Sequence, residues 1–299
     1  MNRNARITPS MPIRRLLTLG AYILMCAIWG TTWLAIRVSL HSLPPISGAG
    51  VRFIVAGIAL YSVALFRPRS REAFPWKLVL ALAVFLFGLN YLLTYYSETR
   101  LDSGLVSVLF GTLPFFVFAF AALAHEKTTP RIWIGTVIGF LGVGVISLTS
   151  QIQASPLAAL AVIGAAASSA FANVYAKRHS HHDPLRTLPP AMLIAGIIMT
   201  TIGIPAEHPT LHDALAPSSI ASVLYLALAG SGVAFFLNFW LLQRIEVWKV
   251  GLSSLIIPVI AVIVGILFGG EQGSAREFIG GALVIAGMWL ALSPRAQIE

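Results

Sequence analysis

The sequence predicts an all-α, polytopic membrane protein with ten transmembrane helices, arranged as two inverted five-helix repeats. Three observations lead to this fold class: a scarcity of charge, ten apolar segments and an internal repeat. Of the 299 residues, 57% are hydrophobic and only 10% are charged, whereas about 25% of the residues of a soluble domain are charged. Most side chains must therefore face lipid or one another rather than water.

Ten apolar segments are each long enough to cross a hydrocarbon core about 30 Å thick, which takes about 20 helical residues. They are predicted at 16–40, 46–66, 77–97, 103–124, 132–149, 156–176, 185–204, 218–242, 250–268 and 277–292. The connections are too short to fold as separate domains. We expect the first five-helix repeat at 16–149 and the second at 156–292, with tails at 1–15 and 293–299.

The distribution of Lys and Arg predicts the orientation of the chain. If the first tail is cytoplasmic, 16 of the 20 Lys and Arg residues fall on the cytoplasmic side. Arg100 and Arg276 fall in outer connections, and Arg37 and Arg52 lie within or near the outer ends of their spans. Because cytoplasmic loops are enriched in Lys and Arg, we expect both termini to be cytoplasmic in the cell (plasma or inner) membrane. The net charge of +9 then reflects topology, and no nucleic-acid partner is expected.

The two halves of the chain repeat each other. Gly88 to Pro114 aligns with Gly232 to Pro258 at a constant offset of 144, which pairs Tyr91 with Phe235. Each half has an odd number of spans, so the second half enters the membrane from the opposite side. Inverted repeats of this kind place a substrate site near the bilayer midplane, between the halves.

Two motifs and one repeated pattern resemble the drug/metabolite transporter superfamily, in its EamA-type branch. The motifs are WGTTWLAIR at 29–37 and AGVRF at 49–53. The repeated pattern is Pro114, Glu126, Gly135 and Gly142 in the first half, and Pro258, Glu271, Gly280 and Gly287 in the second. This resemblance implies ten helices around a central cavity and an exporter of amino acids or other metabolites. It says little about the substrate.

Polar side chains within the spans are the candidates for substrate binding, since they are costly at bilayer depth unless they face protein or a cavity. Asn90 and Thr94 share one helix face, as do Ser169 and Asn173, because each pair is four residues apart. These residues either hydrogen-bond to substrate or join helices to one another. We expect the cavity to be lined by spans one, three, four, six, eight and nine. The candidates are Trp29, Thr32, Trp33, Asn90, Thr94, Ser169, Asn173, Asn238 and Ser254.

Tryptophan and proline residues add candidates of other kinds. Trp29 and Trp33 are suited to stacking on an aromatic or apolar substrate. The alternatives are packing or, for Trp33, a place in the interfacial aromatic belt. Pro114 and Pro258 fall inside the fourth and ninth spans, where proline removes a backbone hydrogen bond and kinks the helix. We predict that both are hinges around the cavity; a static kink is the alternative.

Four charged residues at the outer side form a further group. Arg37 and Arg52 lie on consecutive antiparallel spans, and Glu98 and Asp102 fall in the outer connection that follows the third span. The arginines could bind a substrate carboxylate, extend to the outer interface, or pair with the two acids. We expect the third arrangement, a structural or gating salt bridge.

Several classes of mechanism are not indicated. No span has Asp or Glu at its middle, which predicts weak or absent proton coupling and favours a facilitator. No nucleotide-binding motif or reactive cluster is found, so no cofactor, metal or catalytic residue is expected.

The sequence therefore predicts a secondary transporter of small metabolites such as amino acids, working by alternating access, and not an enzyme. A multidrug or cation efflux carrier is the alternative, and an intramembrane lipid-handling enzyme a weaker one. The glycines of spans five and ten would also permit a homodimer.

Overall fold

The computed structural model describes residues 11–67, 72–101, 106, 109–123, 129–147, 155–268 and 275–292. These residues form helices and connections and contain no β-strand. The helices are α1 (Met11–Leu40), α2 (Pro45–Leu65), α3 (Trp76–Glu98), α4 (Leu113–Leu123), α5 (Pro130–Ser147), α6 (Pro156–Arg178), α7 (Pro184–Glu207), α8 (Pro217–Leu242), α9 (Val247–Gly251 and Ser253–Phe268) and α10 (Ala275–Leu292). One short helix, Leu211–Ala214, precedes α8.

Six of these helices are long and apolar enough to cross a membrane: α1, α2, α3, α6, α7 and α8. The other four have shorter apolar stretches in the part of the chain that the structure describes, at Leu113–Leu123, Pro130–Val145, Val247–Ile260 and Phe278–Ala291. The all-α, multi-pass prediction is confirmed. Six of the ten predicted spans are clear, and the short ones occupy equivalent places, fourth and fifth in each half.

The fourth span differs from its prediction as one continuous helix over 103–124. Leu109 and Phe110 are helical, but the next two residues form a turn, and α4 begins at Leu113. Thr112 closes this turn, since its backbone N–H and its hydroxyl both donate to the carbonyl of Leu109, at 3.1 and 2.6 Å. Pro114 is therefore in the first turn of α4, where its missing N–H is tolerated. It starts a helix and does not kink one, which corrects the sequence prediction.

Helices α3 and α8 each contain an eight-residue π-helical segment, Leu82–Leu89 and Leu226–Val233. The two segments are related by the same offset of 144 as the sequence repeat. A glycine lies near the end of each segment, and a Cβ added at Gly88 would approach the carbonyl oxygen of Ala83 to 2.9 Å. At Gly88 the wider turn thus leaves too little room for a side chain, whereas the equivalent distance at Gly232 is 3.4 Å, an ordinary contact.

Helices α5 and α10 pack against each other through glycines. A Cβ added at Gly142 would lie 2.6 Å from the carbonyl oxygen of Gly280, and one at Gly135 would collide with the carbonyl of Gly287. Gly135 meets Gly287 and Gly142 meets Gly280, so the two helices run antiparallel. Since α5 and α10 are repeat mates, this packing agrees with inverted halves. The packing uses Gly135, Gly142, Gly280 and Gly287 within one chain, and the homodimer stays a prediction.

Helices α2 and α7 form a second antiparallel pair of the same kind. A Cβ added at Gly50 would lie 2.9 Å from the carbonyl oxygen of Gly196, and one at Gly196 would lie 2.8 Å from that of Gly50. The two residues thus meet with nearly the same geometry in both directions. Small residues permit this close approach of helix backbones. The halves are joined along two glycine contacts, leaving the remaining six helices to surround a central space.

Charged side chains from one helix cap the ends of another. Glu207, at the end of α7, accepts hydrogen bonds of 2.8 Å from the backbone N–H groups of Ile46 and Ser47 at the start of α2. Lys177 of α6 donates a 2.7 Å hydrogen bond to the carbonyl of Leu242 at the end of α8. An acid at a helix N-terminus and a base at a C-terminus both complement the helix dipole.

Candidate functional site

A cavity lies among six helices: α1, α3, α6, α8, α9 and the start of α4. These are the six spans that the sequence predicted. All nine predicted substrate-binding residues line this cavity: Trp29, Thr32, Trp33, Asn90, Thr94, Ser169, Asn173, Asn238 and Ser254. About 90 Å³ of the cavity is open to the centres of water molecules, and one water needs about 10–15 Å³ on this measure. The space suits a small cluster of waters or a small solute.

Three polar residues form a hydrogen-bonded chain on one wall. The side-chain amide of Asn238 donates to the amide oxygen of Asn173 at 2.8 Å. Asn173 in turn donates to the backbone carbonyl of Ser169 at 2.8 Å. Asn238 is 2% exposed and Asn173 is 9% exposed, so both amides are largely withdrawn from solvent. These two hydrogen bonds hold α6 against α8 and orient the amide groups towards the cavity.

Hydroxyl groups elsewhere in the lining give their protons to nearby acceptors in the protein. Thr32 donates to the carbonyl of Trp29 at 2.7 Å, and Ser254 donates to that of Gly251 at 3.0 Å. Because each hydroxyl has one proton and two lone pairs, these groups turn acceptor positions to the cavity. Such a lining is complementary to hydrogen-bond donors, for example an ammonium group.

Aromatic rings complete the lining. Trp29 packs edge-on against Phe235 with ring centroids 5.3 Å apart, and its indole N–H donates to the carbonyl of Gly230 at 3.2 Å. Trp33 packs edge-on against Phe110 at 5.8 Å. Trp33 thus faces the cavity, an arrangement that favours the cavity interpretation over the interfacial belt.

Tyr91 and Phe235 line the cavity without having been chosen from the sequence. They are aligned with each other by the offset of 144, which is the signal that could have found them. Ser253, beside Ser254, was also missed. Ser253 begins the second part of α9, after the break at Leu252. This break was not predicted from the sequence.

The EamA-like transporter family matches this chain twice, at residues 16–148 and 156–293. The chain belongs to this family. The uncharacterized inner membrane transporter YedA of Escherichia coli (strain K12) is 31% identical over 287 residues, covering 92% of this chain and 91% of that protein. The protein is therefore a multi-pass membrane transporter, and its family indicates a transporter rather than an enzyme.

Two further comparisons agree with this family. A probable amino-acid metabolite efflux pump of the same E. coli strain is 24% identical over 284 residues, covering 90% of this chain and 92% of the pump. A solved crystal structure superposes with a TM-score of 0.79 at 19% identity, covering 92% of this chain and 96% of that one. At that level of identity, the superposition supports the fold alone.

The described charged candidates of this EamA-like transporter, Arg37, Arg52 and Glu98, are not among the residues that line the cavity. None of the described lining residues is Asp, Glu, Lys, Arg or His. Arg52 is 1% exposed and lies behind the cavity wall, with its guanidinium carbon 5.0 Å from the ring centre of Tyr91. Its Nε donates to the hydroxyl of Ser231 at 2.8 Å. Arg52 therefore does not extend to the outer interface, which was one alternative for it.

The outer gate proposed from Arg37, Arg52, Glu98 and Asp102 is described only in part. Glu98 is the last residue of α3, and Arg37 is close enough for its charge to act on the Glu98 carboxyl. One carboxyl oxygen of Glu98, Oε1, is buried and has no hydrogen-bond partner among the described residues. Asp102 lies outside the described residues. The salt bridge stays a prediction.

Pro258 lies inside α9 and lines the cavity. The turn that interrupts α9 precedes it: Leu252 donates from its backbone N–H to Trp248 at 3.0 Å, and Leu255 donates to Leu252 at 3.1 Å. Helix breaks at the cavity thus occur in both α9 and the fourth span. They provide points at which either helix can bend, and the hinge role of Pro114 and Pro258 remains a prediction.

Proposed function

We propose that this protein is a secondary transporter, an exporter or facilitator of small neutral or zwitterionic metabolites such as amino acids. The observation that carries the proposal is the uncharged cavity, where amide groups, hydroxyl acceptors and aromatic rings from both halves converge. A zwitterion presents an ammonium donor to the acceptors of Thr32 and Ser254, and its side chain to Trp29 or Phe235. The name of the amino-acid metabolite efflux pump, a relative of 24% identity, supports this substrate class.

Alternating access is the proposed mechanism. Repeat mates in an inverted pair exchange conformations to open the central site first to one side and then to the other. The antiparallel pairs α2–α7 and α5–α10 are suited to remain fixed, since glycine contacts bring their backbones together. The helices that line the cavity contain the π-helical segments and the helix breaks, so they are suited to move. We also propose cytoplasmic termini, on the distribution of Lys and Arg.

A second candidate is a carrier of cationic, aromatic drugs. It is favoured by the rings of Trp29, Trp33, Tyr91 and Phe235, since aromatic faces attract cations. It is disfavoured by the absence of an acidic residue from the described lining. The two candidates differ in the charge of the solute, and one transport assay can separate them.

The test is counterflow in proteoliposomes loaded with unlabelled solute. We expect labelled neutral amino acids to accumulate in vesicles that contain the protein and not in empty vesicles. In the double variant Asn173→Leu/Asn238→Leu the rate of this flux should fall at least tenfold. The substitution removes both side-chain amides, and leucine fills the space that they leave. Ser62→Ala, which changes an exposed hydroxyl bonded only within α2, is the control. Accumulation of organic cations alone would favour the second candidate, and no flux of any solute would exclude both.

A further inference from the structure

A second groove lies where α1 begins and α8 ends, apart from the central cavity. Its walls come from the first part of α1, the connections that follow α6 and α8, and a few positions of α8, α9 and α10. It has a volume of about 1240 Å³ and shares no lining residue with the cavity. The side chains of Leu17 and Ile23 line it and are 53% and 57% exposed. The groove is therefore open to the surroundings of the bundle along an apolar wall.

The rim of this groove is basic. Arg14, Arg15, Arg244 and Lys249 line it, and no described lining residue is acidic. The nearby carboxylate of Glu246 is already bound to Lys249, at 2.7 Å. The groove thus collects several positive charges and leaves most of them without a carboxylate among the described residues.

Arg244 is held in place on this rim. Its guanidinium carbon lies 3.6 Å from the ring centre of Trp240, and its Nη1 donates to the carbonyl of the same residue at 2.8 Å. Burial lowers the pKa of Arg244, and the positive charge of Arg14 lowers it further. Two cations that repel each other across a groove are stabilised by an anion between them.

We propose that this groove binds one anionic phospholipid, with its phosphate between Arg14 and Arg244 and its acyl chains along Leu17 and Ile23. The basic rim complements a phosphate, and the exposed apolar wall complements hydrocarbon. Basic pockets between transmembrane helices bind anionic lipid headgroups in this way. A free phosphate would leave the apolar wall bare. The first segment of the chain, 1–10, carries Arg3 and Arg6 and no acid. Its positive charge would be repelled by the basic rim, so this segment is not the occupant.

A lipid in this groove would contact helices that also line the transport cavity. Tyr22 of α1 donates to the backbone carbonyl of Lys249 at 2.9 Å, which joins the two walls. From there α1 continues to Trp29, and α9 continues to Ser254. The proposal does not depend on which solute is carried, since it concerns a separate site.

The test is native mass spectrometry of the purified full chain with bound lipid. We expect phosphatidylglycerol to be retained on the wild type and phosphatidylcholine of the same acyl chains to be lost. Arg14→Gln/Arg244→Gln should lower phosphatidylglycerol retention about thirtyfold, given the gain for each of two basic residues near anionic lipid. Arg100→Gln is a matched control, because Arg100 stacks on Tyr96 at 4.0 Å and is the repeat mate of Arg244 at the opposite end.

Three results would overturn the proposal. The first is equal retention of the two lipids by the wild type, which needs no variant and so does not depend on variant folding. The second is an equal loss of phosphatidylglycerol from Arg100→Gln and from the double variant, since charge alone would then explain binding. The third is displacement of phosphatidylglycerol by millimolar inorganic phosphate, which would indicate a site for a soluble anion.

Discussion

Arg52 on α2 donates a 2.8 Å hydrogen bond from its Nε to the hydroxyl of Ser231, inside the π-helical segment of α8. The same guanidinium lies over the ring of Tyr91 and donates from Nη1 to the hydroxyl of Tyr95 at 3.5 Å. Arg52 therefore joins α2 to the two π-containing helices, one from each half. No carboxylate contacts it within the described residues, so its charge is balanced by hydroxyl groups and aromatic faces.

The Arg52–Ser231 contact should contribute measurably to stability. Ser231→Ala leaves a buried charged donor without its partner, which costs about 1–3 kcal/mol. Arg52→Met should destabilise the protein by a similar amount or more. The double variant should be no less stable than Arg52→Met alone, because the contact can be lost only once. Chemical unfolding in mixed micelles measures the three variants, and additive losses would show that the two residues do not interact.

Glycine at the α5–α10 contact should be required for packing. In Gly135→Ala and Gly287→Ala the new Cβ collides with backbone of the opposite helix, and such overpacking costs about 1–3 kcal/mol. Gly144→Ala is the control on the same helix, since no atom lies within 4 Å of its added Cβ. Alanine there should be neutral or stabilising by up to about 1 kcal/mol. Thermal unfolding in detergent checks the order of the variants, and equal transition temperatures for all three would contradict this packing.

An acid placed in the cavity should change solute selectivity. Asn238 is 2% exposed and lines the cavity, so Asn238→Asp puts a carboxyl group where the lining is uncharged. We expect neutral amino-acid counterflow to fall at least tenfold and uptake of organic cations to rise. The flux should also acquire a pH dependence that the wild type lacks. Unchanged selectivity would mean that Asn238 does not contact the solute.

Transport should be independent of a proton gradient. No Asp, Glu, His, Lys or Arg side chain is found in the described lining of the cavity, so the flux should follow the substrate gradient alone. Glu98 is the carboxylate that challenges this expectation, because its Oε1 is buried without a hydrogen-bond partner in the described part of the chain. Flux is to be measured with and without an imposed pH gradient, in the wild type and in Glu98→Gln. If the variant lost a pH-driven flux while keeping exchange, the facilitator hypothesis would fail.

The sequence determined those features that depend on local composition and on periodicity. Hydropathy follows residue by residue along a helix, so the multi-pass, all-helical architecture could be predicted directly. The polar positions of the cavity were also predictable, because a polar side chain in an apolar span must face protein or a cavity rather than lipid. The offset of 144 even relates Tyr91 to Phe235, which the structure brings to the same cavity.

Only the tertiary structure decided what depends on contacts between distant parts of the chain. Arg52 and Ser231 are 179 residues apart, and nothing near either one marks its partner. The π-helical segments and the turn before α4 are small rearrangements of backbone hydrogen bonds that leave hydropathy unchanged. Glu207 was not singled out from the sequence, yet it caps α2 across the interface between the halves. Hydropathy places a residue in a span, but close packing between helices selects its neighbours.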